Sequence, residues 1–245
     1  MTGTLTVGVL GGMGPDATLD YFAKLLDASP AKDDQDRLRI LIDNNPKLPN
    51  RNRAVAGEGP SPGPDLGRMA AGLASLGADF LVMPCNTAHA FAADIERAVE
   101  IPLVSIIDVT VNATKAAMPA GATRVGVLAA AGTLQAGLYR EAFAREGVEA
   151  LQLDESGLAR FMDLLYRIKS GARGEAAKRE MQELAGELLD AGAAVLVAGC
   201  TEVPLVLQAA DVPVPLVNST DELVRVTVQL ATGERPLPTG ESVIG

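Results

Sequence analysis

Several residue types that would indicate a particular class of protein are scarce or absent in this chain. It has no Trp, aromatic residues make up 3% of it, and it contains two cysteines and one histidine. It has no run of basic residues, and its formal net charge is −10. These features argue against nucleic acid or an anionic membrane surface as a partner. No apolar run reaches the length of a membrane span, so we expect no membrane segment.

The same scarcity limits the chemistry of cysteine and histidine. Two thiols are too few for a disulfide framework or a zinc site, and the lone His89 follows Cys85 by four residues without further ligands nearby. We therefore expect no metal. The N-terminal segment MTGTLTVGVL enters an apolar run almost at once and lacks the charged region and cleavage site of a signal peptide. We expect a cytoplasmic protein.

The pattern of apolar residues predicts an α/β fold. Unbroken apolar runs of strand length alternate with helix-length segments, which is typical of parallel sheets covered on both faces. The predicted strands are Leu5–Leu10, Arg39–Asp43, Phe80–Met83, Leu103–Ile107, Arg124–Leu128, Val148–Leu153, Ala194–Ala198 and Val214–Val217. Helices are predicted to begin near Asp16, Asp65, Thr87, Asp108, Thr133, Gly157, Gly174, Thr201 and Thr220.

The chain also repeats itself. Three segments of its first half return, at a spacing of 113 to 118 residues, in its second half: VGVL at 7–10 and 125–128, GADFLVMPC at 77–85 and GAAVLVAGC at 192–200, IPLV at 101–104 and VPLV at 214–217. The repeat predicts two copies of one α/β unit, related by a pseudo-twofold axis. Each copy carries one cysteine at the carboxyl end of a strand, which is where open α/β sheets bind ligands.

Cys85 and Cys200 are therefore candidates for a matched acid and base that face each other across an interdomain cleft. Each precedes polar residues that could cap a helix, and a helix N-terminus favours a thiolate. The alternative is that both are packing residues, which is the usual fate of a free cysteine. Their recurrence at equivalent strand ends favours the cleft.

A glycine-rich loop follows the first strand. Gly12, Gly14 and Ala17 satisfy the dinucleotide pattern GxGxxG/A, and backbone N–H groups there could bind an anion. The pattern also needs an acidic residue about 20 residues later, but Asp43, which ends the second predicted strand, lies farther along. A small carboxylate would suit the loop equally well. An NAD-dependent oxidoreductase is thus an alternative function.

Cations near these strand ends could bind a substrate. Asn44–Pro64 is rich in Pro, Gly and Asn and holds Arg51 and Arg53, so it predicts either a structureless binding loop or lid, or a solvated insertion. Lys169 ends a predicted helix before Ser170 and Gly171. A cation at that position is also explained by the helix C-terminus alone.

The motifs GVLGGMGPDAT, PCNTAH and GCTEVP, in this order and spacing, closely resemble those of the aspartate/glutamate racemase family, which works without pyridoxal phosphate. The resemblance covers nearly the whole chain. It implies two α/β domains with the active site in the cleft between them, no cofactor, an amino acid as substrate, and a homodimer. We expect a first domain of residues 1–110 with 216–245 and a second of residues 111–215.

The resemblance also implies roles for individual residues. Cys85 and Cys200 would be the two catalytic bases, acting on opposite faces of the α-carbon. Arg51, in a match to NPxIPxR, and Lys169, in a match to IKxG, would bind substrate carboxylates. The remaining substrate-binding positions would be Met13, Asn86, Thr87, Thr133 and Thr201.

Two positions depart from the family pattern. Ala130 replaces a common Thr, and Glu202 follows Thr201 where the glutamate racemase branch typically has His. The second departure favours an aspartate-type or broad specificity over strict glutamate specificity. A related cysteine-dependent isomerase or decarboxylase of another small carboxylic acid is the closest alternative function. A non-catalytic amino-acid-binding protein would not need paired cysteines.

Overall fold

A computed structural model describes residues 4–238 of the chain. Within them the chain divides into two compact units. The first contains the residues up to Val109 together with those from Thr220 onward, and the second contains Thr110–Ser219. The ends of the expected first domain, residues 1–3 and 239–245, lie outside the described residues.

The first unit is built around a four-stranded parallel sheet with strand order β2-β1-β3-β4. The strands are β1 (Val7–Gly11), β2 (Ile40–Asn44), β3 (Phe80–Val82) and β4 (Leu103–Val104). The helices of this part of the chain are α1 (Pro15–Ala28), α2 (Arg51–Val55), α3 (Gly63–Ser75) and α4 (Ala92–Glu96), with 3-10 helices at Asp34–Asp36 and Thr87–Phe91. Every residue of β1 and β3 is buried, as expected for strands covered on both faces.

The chain passes between the units within two helices, α5 (Ile106–Ala117) and α10 (Ser219–Ala231). The second unit repeats the parallel strand order as β6-β5-β7-β8, formed by β5 (Arg124–Leu128), β6 (Glu149–Leu151), β7 (Val195–Ala198) and β8 (Leu216–Asn218). Its helices are α6 (Ala131–Gln135), α7 (Leu138–Arg145), α8 (Glu155–Lys169) and α9 (Glu175–Asp190), with 3-10 helices at Val203–Leu205 and Ala209–Asp211.

The two sheets have the same topology, strand for strand. In each, the first strand in the chain lies between the second and third strands, and the fourth lies outside the third. In each, two helices connect the second strand to the third: α2 and α3 in the first unit, α8 and α9 in the second. The predicted α/β class and the duplication of one parallel-sheet unit are therefore confirmed.

A glycine in each central strand lets a helix pack closely on the sheet. A Cβ atom on Gly8 of β1 would lie 2.9 Å from Ala78 Cβ and 3.4 Å from Leu73 Cβ, the latter on α3. A Cβ atom on Gly126 of β5 would lie 2.8 Å from Leu188 Cβ, on α9. The repeated VGVL segment thus has a packing reason for its glycine in both copies.

The segment Asn44–Pro64 is not structureless, so that part of the prediction is wrong. Asn50 accepts a hydrogen bond from the backbone N–H of Arg53 at 3.2 Å and thereby caps α2. The guanidinium of Arg53 donates to the Glu58 carbonyl at 3.1 Å, which closes the turn after the helix. The segment is a short capped helix between two turns.

Candidate functional site

The predicted site residues follow the carboxyl ends of strands in both units. Met13 follows β1 and Cys85 follows β3, while Thr133 follows β5 and Cys200 follows β7. The carboxyl ends of parallel strands meet at one edge of a sheet, where α/β proteins bind ligands. Each unit therefore gathers its predicted residues at the edge where a ligand site is expected.

Cys85 is buried at the end of β3, with 7% of its surface exposed. It belongs to an apolar cluster of the first unit that includes Met13, Leu48 and Met83. Its backbone N–H donates to the Met83 carbonyl at 2.7 Å, which turns the chain sharply after the strand. The turn fixes the backbone from which the thiol projects.

His89 lies in the 3-10 helix that follows Cys85 and is buried. Its Nδ1 lies 2.9 Å from the Cys85 carbonyl oxygen, and its Nε2 lies 3.2 Å from the backbone N–H of Ile106. Because that N–H can only donate, Nε2 accepts, and Nδ1 carries the proton and donates to Cys85. Burial lowers the pKa of His89 to about 4, against the opposing effect of its backbone hydrogen bonds. The neutral ring therefore links the backbone at Cys85 to the backbone at Ile106 by two hydrogen bonds.

Asn86 and Thr87 are buried beside Cys85. They begin a 3-10 helix of only five residues, Thr87–Phe91, and the Asn86 side chain does not cap it. The segment after Cys200 is a 3-10 helix of three residues, Val203–Leu205, preceded by Glu202 and not by a Thr201 cap. A helical segment therefore begins at Thr87 as expected and continues into α4, whereas the segment in the second unit begins at Val203 and not at Thr201. The expected side-chain caps are wrong in both units, and a helix dipole contributes little at 3-10 segments this short.

Cys200 lies among polar groups of its own segment and of α8. Its thiol donates to Glu202 Oε2 at 2.9 Å, and the Thr201 hydroxyl donates to the same oxygen at 3.2 Å. The other carboxylate oxygen, Oε1, lies 3.4 Å from Lys169 Nζ. The Glu202 side chain is only 8% exposed, whereas that of Lys169 is 39% exposed. A buried carboxylate thus links the second thiol to the cation at the end of α8.

This environment opposes ionisation of Cys200. Burial raises the pKa of the Cys200 thiol well above its ordinary value, and the Glu202 carboxylate raises it further, while Lys169 acts in the opposite direction. The sequence-based expectation of a thiolate favoured by a helix N-terminus is therefore wrong for Cys200. In the structure the Cys200 thiol is a hydrogen-bond donor, with Glu202 as its acceptor.

Arg51 is the first residue of α2 and lies half-buried. Its guanidinium donates to the carbonyls of Pro49 at 2.9 Å and Leu48 at 3.3 Å. Leu48 belongs to the same apolar cluster as Met13 and Cys85. Helices α2 and α8 each follow the second strand of their sheet, but Arg51 begins α2 whereas Lys169 ends α8.

The glycine loop after β1 is explained by packing within the chain. Gly12 has φ of +92°, and a Cβ atom there would lie 2.3 Å from the backbone of Asn45. Its N–H, which a phosphate would require in the dinucleotide pattern, instead donates to the Thr18 hydroxyl at 2.9 Å. The geometry therefore gives the dinucleotide interpretation no support.

Thr133 lies fully inside the second unit, with 1% of its surface exposed. It is part of α6, and its backbone N–H donates to the carbonyl of Ala130 at 2.9 Å. Ala130 belongs to the same apolar cluster as Cys200 and is itself buried. Ala130, where the family often has Thr, thus contributes a methyl group to the apolar cluster that contains Cys200.

No metal cluster emerges within residues 4–238, where no group of three or more His, Cys, Asp or Glu side chains has the geometry to hold an ion. In the same part of the chain, no helix combines the length and apolar character that crossing a membrane requires.

Glu202 is the candidate functional residue that the sequence analysis did not identify as such. In the sequence it stands out only as a departure from the pattern of the glutamate racemase branch. A usable signal exists in the segment VLVAGCTEVPLV, where this carboxylate stands between a buried strand and the apolar residues Val203 and Pro204. A charged residue in such surroundings is buried only if it has a partner, which here is Lys169.

Comparison with known proteins supports a single family. The sequence model of the Asp/Glu/Hydantoin racemase family matches residues 10–227. A broad specificity amino-acid racemase of Bacillus subtilis is 26% identical over 226 residues, which cover 91% of this chain and 96% of that protein. A glutamate racemase of Geobacter metallireducens is 30% identical over 167 residues, or 66% of this chain and 60% of that protein.

Solved structures agree on the fold. The aspartate racemase of Picrophilus torridus superposes with a TM-score of 0.81 at 24% identity, covering 95% of this chain and 96% of that one. At this level of identity the likeness shows that the two chains share a fold.

Proposed function

The chain belongs to the Asp/Glu/Hydantoin racemase family and is therefore an isomerase, and we propose that it racemises an amino acid with Cys85 and Cys200 as its two bases. The observation that carries the proposal is the duplicated sheet. In both copies a buried cysteine follows the third strand, at the edge where ligands bind.

The proposed chemistry needs only proton transfer. One cysteine, as thiolate, removes the α-proton, and the other, as thiol, delivers a proton to the opposite face of the α-carbon. The reverse reaction exchanges the two roles. Both thiols must lie out of bulk water so that the carbanion-like intermediate is not quenched non-specifically, and burial of Cys85 and Cys200 supports this requirement.

Substrate binding is assigned to residues beside the cysteines. Asn86, Thr87 and Thr201 are buried polar residues next to the thiols, and we assign them to the α-amino and α-carboxylate groups. Donors aimed at the α-carboxylate would stabilise the charge that develops on it during proton removal. Met13 and Thr133 would line the pocket.

The cations Arg51 and Lys169 are assigned to substrate carboxylates. A charge-assisted pair with a second carboxylate would favour a dicarboxylic amino acid. Lys169 already contacts Glu202, but its side chain remains 39% exposed and an ammonium group has three donors. We therefore propose an aspartate-type or broader range of substrates, in keeping with the broad-specificity relative.

The proposal predicts that each cysteine is essential for inversion. Cys85→Ser and Cys200→Ser should each lower interconversion of the enantiomers by at least 10²- to 10⁴-fold, because general acid–base catalysis typically contributes that much. A panel of L- and D-amino acids, incubated with the purified protein in deuterated water, would be followed by chiral chromatography and by NMR of the α-proton. The wild-type protein should incorporate one solvent deuterium per inversion.

Two controls make this experiment decisive. Circular dichroism of each serine variant separates loss of chemistry from loss of fold, and addition of hydroxylamine or NAD tests whether activity depends on a carbonyl cofactor or a nicotinamide. Full activity in both serine variants would refute the two-base mechanism. Turnover that required NAD would refute the racemase assignment in favour of an oxidoreductase.

A further inference from the structure

The two cysteines stand in duplicated positions but not in equivalent surroundings. Two residues after Cys200 lies Glu202, whereas two residues after Cys85 lies Thr87, which carries no charge. Of the two cysteines, therefore, only Cys200 is followed at this position by a carboxylate. A reaction that uses both thiols in either direction asks for similar chemistry at both, so this difference calls for a functional explanation.

The contacts of Glu202 are those of a group that holds a proton on sulfur. Its Oε2 accepts the hydrogen bond of the Cys200 thiol at 2.9 Å and that of the Thr201 hydroxyl at 3.2 Å. If Cys200 lost its proton, the thiolate would lose this hydrogen bond and face a carboxylate at the same distance. Both effects favour the thiol form.

Lys169 limits the effect of the carboxylate. Its ammonium lies 3.4 Å from Oε1 and compensates the negative charge that burial would otherwise make costly. The charged groups that act on Cys200 are Glu202, from its own loop, and Lys169, from the end of α8. The described residues that form a cluster with Cys200, among them Leu128 and Ile168, are apolar.

We propose that Glu202 is a positioning residue that keeps Cys200 protonated in the resting enzyme, so that Cys200 begins as the acid and Cys85 as the base. The proposal rests on the two-cysteine function proposed above and deepens it. The α-proton passes to the Cys85 thiolate while the Cys200 proton passes to the other face of the carbon. The enzyme is left with a Cys85 thiol and a Cys200 thiolate beside Glu202, and a proton exchange restores the resting state.

The equilibrium between enantiomers limits which measurements can detect a difference between the two thiols. The equilibrium constant between enantiomers is one, so kcat/KM must be the same in both directions at every pH. A comparison of the two directions by kcat/KM would therefore be blind to Glu202. The protonation state of the Cys200 thiol in the free enzyme is the direct readout.

The test measures that protonation state without relying on racemase activity. In the Cys85→Ser background Cys200 is the only thiol, and its rate of alkylation by iodoacetamide is measured by mass spectrometry as a function of pH. Adding Glu202→Gln should shift the midpoint down by about one unit or more, which means about tenfold more thiolate near neutral pH. Adding Lys169→Leu should shift the midpoint in the opposite direction.

A matched control removes a carboxylate that does not touch the thiol. Asp163 lies on α8, forms an ion pair with Arg167 at 2.8 Å and is 71% exposed. Asp163→Asn changes the net charge by the same amount as Glu202→Gln and should leave the Cys200 midpoint where it is. In the enzyme with both cysteines, Glu202→Gln should also move the alkaline limb of the pH profile of kcat/KM to lower pH.

The outcomes separate this proposal from the function on which it rests. A Cys200 midpoint that stays or rises in Glu202→Gln overturns the proposal. If Glu202→Gln does not fold, Glu202→Asp decides, because it keeps the buried charge but shortens the side chain that reaches the thiol, and a midpoint that fails to fall overturns the proposal. Midpoints that move as expected, together with full racemase activity in both serine variants, would uphold the effect on the thiol and refute the two-base function.

Discussion

His89 shows how one polar residue can support a site without taking part in the chemistry. Its ring spans from the Cys85 carbonyl to the N–H of Ile106, where α5 begins. Both ring nitrogens are used by the backbone, so neither remains to exchange a proton with a substrate. The only histidine of the chain is thereby excluded as a general base, although histidine is the residue most often found in that role.

The burial of His89 predicts a specific dependence of stability on pH. The pKa of this group is about 4 in the folded protein and 6.5 in the unfolded chain, so the unfolded state binds more protons between these values. The contribution of neutral His89 is fully present above pH 6.5 and is lost as the pH falls towards 4. The total loss amounts to about 3 kcal/mol.

Two measurements check this prediction. NMR should show the single imidazole remaining neutral from pH 8 down to pH 5. Urea unfolding of the wild-type protein and of His89→Asn should show that the free energy of unfolding of the wild type falls more steeply between pH 6.5 and 4. Equal slopes in the two proteins would contradict the assignment.

At the scale of elements, the two copies share a device for packing a helix on a strand. Gly8 on β1 and Gly126 on β5 occupy the same position in the repeated VGVL segment. In both strands the absence of a side chain leaves room for a leucine of the neighbouring strand. A Cβ atom on Gly8 would lie 2.7 Å from Leu81 Cδ2, and one on Gly126 would lie 2.9 Å from Leu196 Cδ2. The backbone of each helix can then approach the sheet.

Replacing either glycine by alanine should therefore destabilise the protein. We expect Gly8→Ala and Gly126→Ala each to lower the free energy of unfolding by about 1–3 kcal/mol, because the added methyl group overpacks the layer between helix and sheet. Chemical denaturation of the two variants measures the effect. A variant as stable as the wild type would show that the interface has room to yield.

The packing helices supply the matched controls. Gly72 on α3 and Gly186 on α9 have open space where a Cβ atom would lie. Alanine at these positions should stabilise the protein by up to about 1 kcal/mol, because Gly is the poorer helix former. Opposite signs for strand and helix glycines would separate overpacking from a general effect of alanine.

The elements also show what the sequence could and could not predict. The eight strands within residues 4–238 all overlap predicted apolar runs. The reason is clearest for β1, β3 and β7, since a buried parallel strand needs an unbroken apolar segment. The predicted bounds of β5 are the observed ones, and those of the other strands differ by up to three residues, since pairing with a neighbour and not hydropathy ends a strand. Helices α2 and α4, of five residues each, are too short to show an amphipathic period.

The candidate site was predictable in the same uneven way. The internal repeat identifies both cysteines, because a duplication can be recognised by comparing the two halves of the sequence. The link from Glu202 to Lys169 joins α8 to the turn after β7, and such a contact depends on tertiary structure. The change in the expected ionisation of Cys200 follows from that contact and from burial, neither of which a local motif records.

At the scale of the whole molecule, the first unit is assembled from both ends of the chain. Tyr21 on α1 and Thr227 on α10 are fully buried, and their hydroxyl oxygens lie 2.7 Å apart. Thr227 donates its own proton to the Leu223 carbonyl, so Tyr21 must donate to Thr227. Lys24 on α1 also forms an ion pair with Asp221 at 2.8 Å.

This hydrogen bond predicts an asymmetric pair of substitutions. Thr227→Val leaves the buried Tyr21 hydroxyl without its acceptor and should cost about 1–3 kcal/mol. Tyr21→Phe removes the donor while Thr227 keeps its bond to Leu223, so it should cost less, about 0.5–1.5 kcal/mol. Thermal and urea unfolding of both variants and of the double variant measure these costs.

The double variant provides the check. With both polar groups gone, it should be more stable than Thr227→Val alone, because no buried hydroxyl is left without a partner. If the costs of the two single substitutions simply added, the hydrogen bond would not be the coupling between the two ends of the chain.

The discontinuous first unit also has a consequence for biosynthesis. A ribosome that has finished the first 109 residues must still translate Thr110–Ser219 before α10 can emerge. At about 5–20 residues per second, this interval lasts roughly 5–20 s. Throughout it, Tyr21 and its neighbours on α1 have no Thr227 to cover them, while the sequence of the second unit is completed without interruption. The N-terminal half of the nascent chain is therefore the part that chaperones would need to shield.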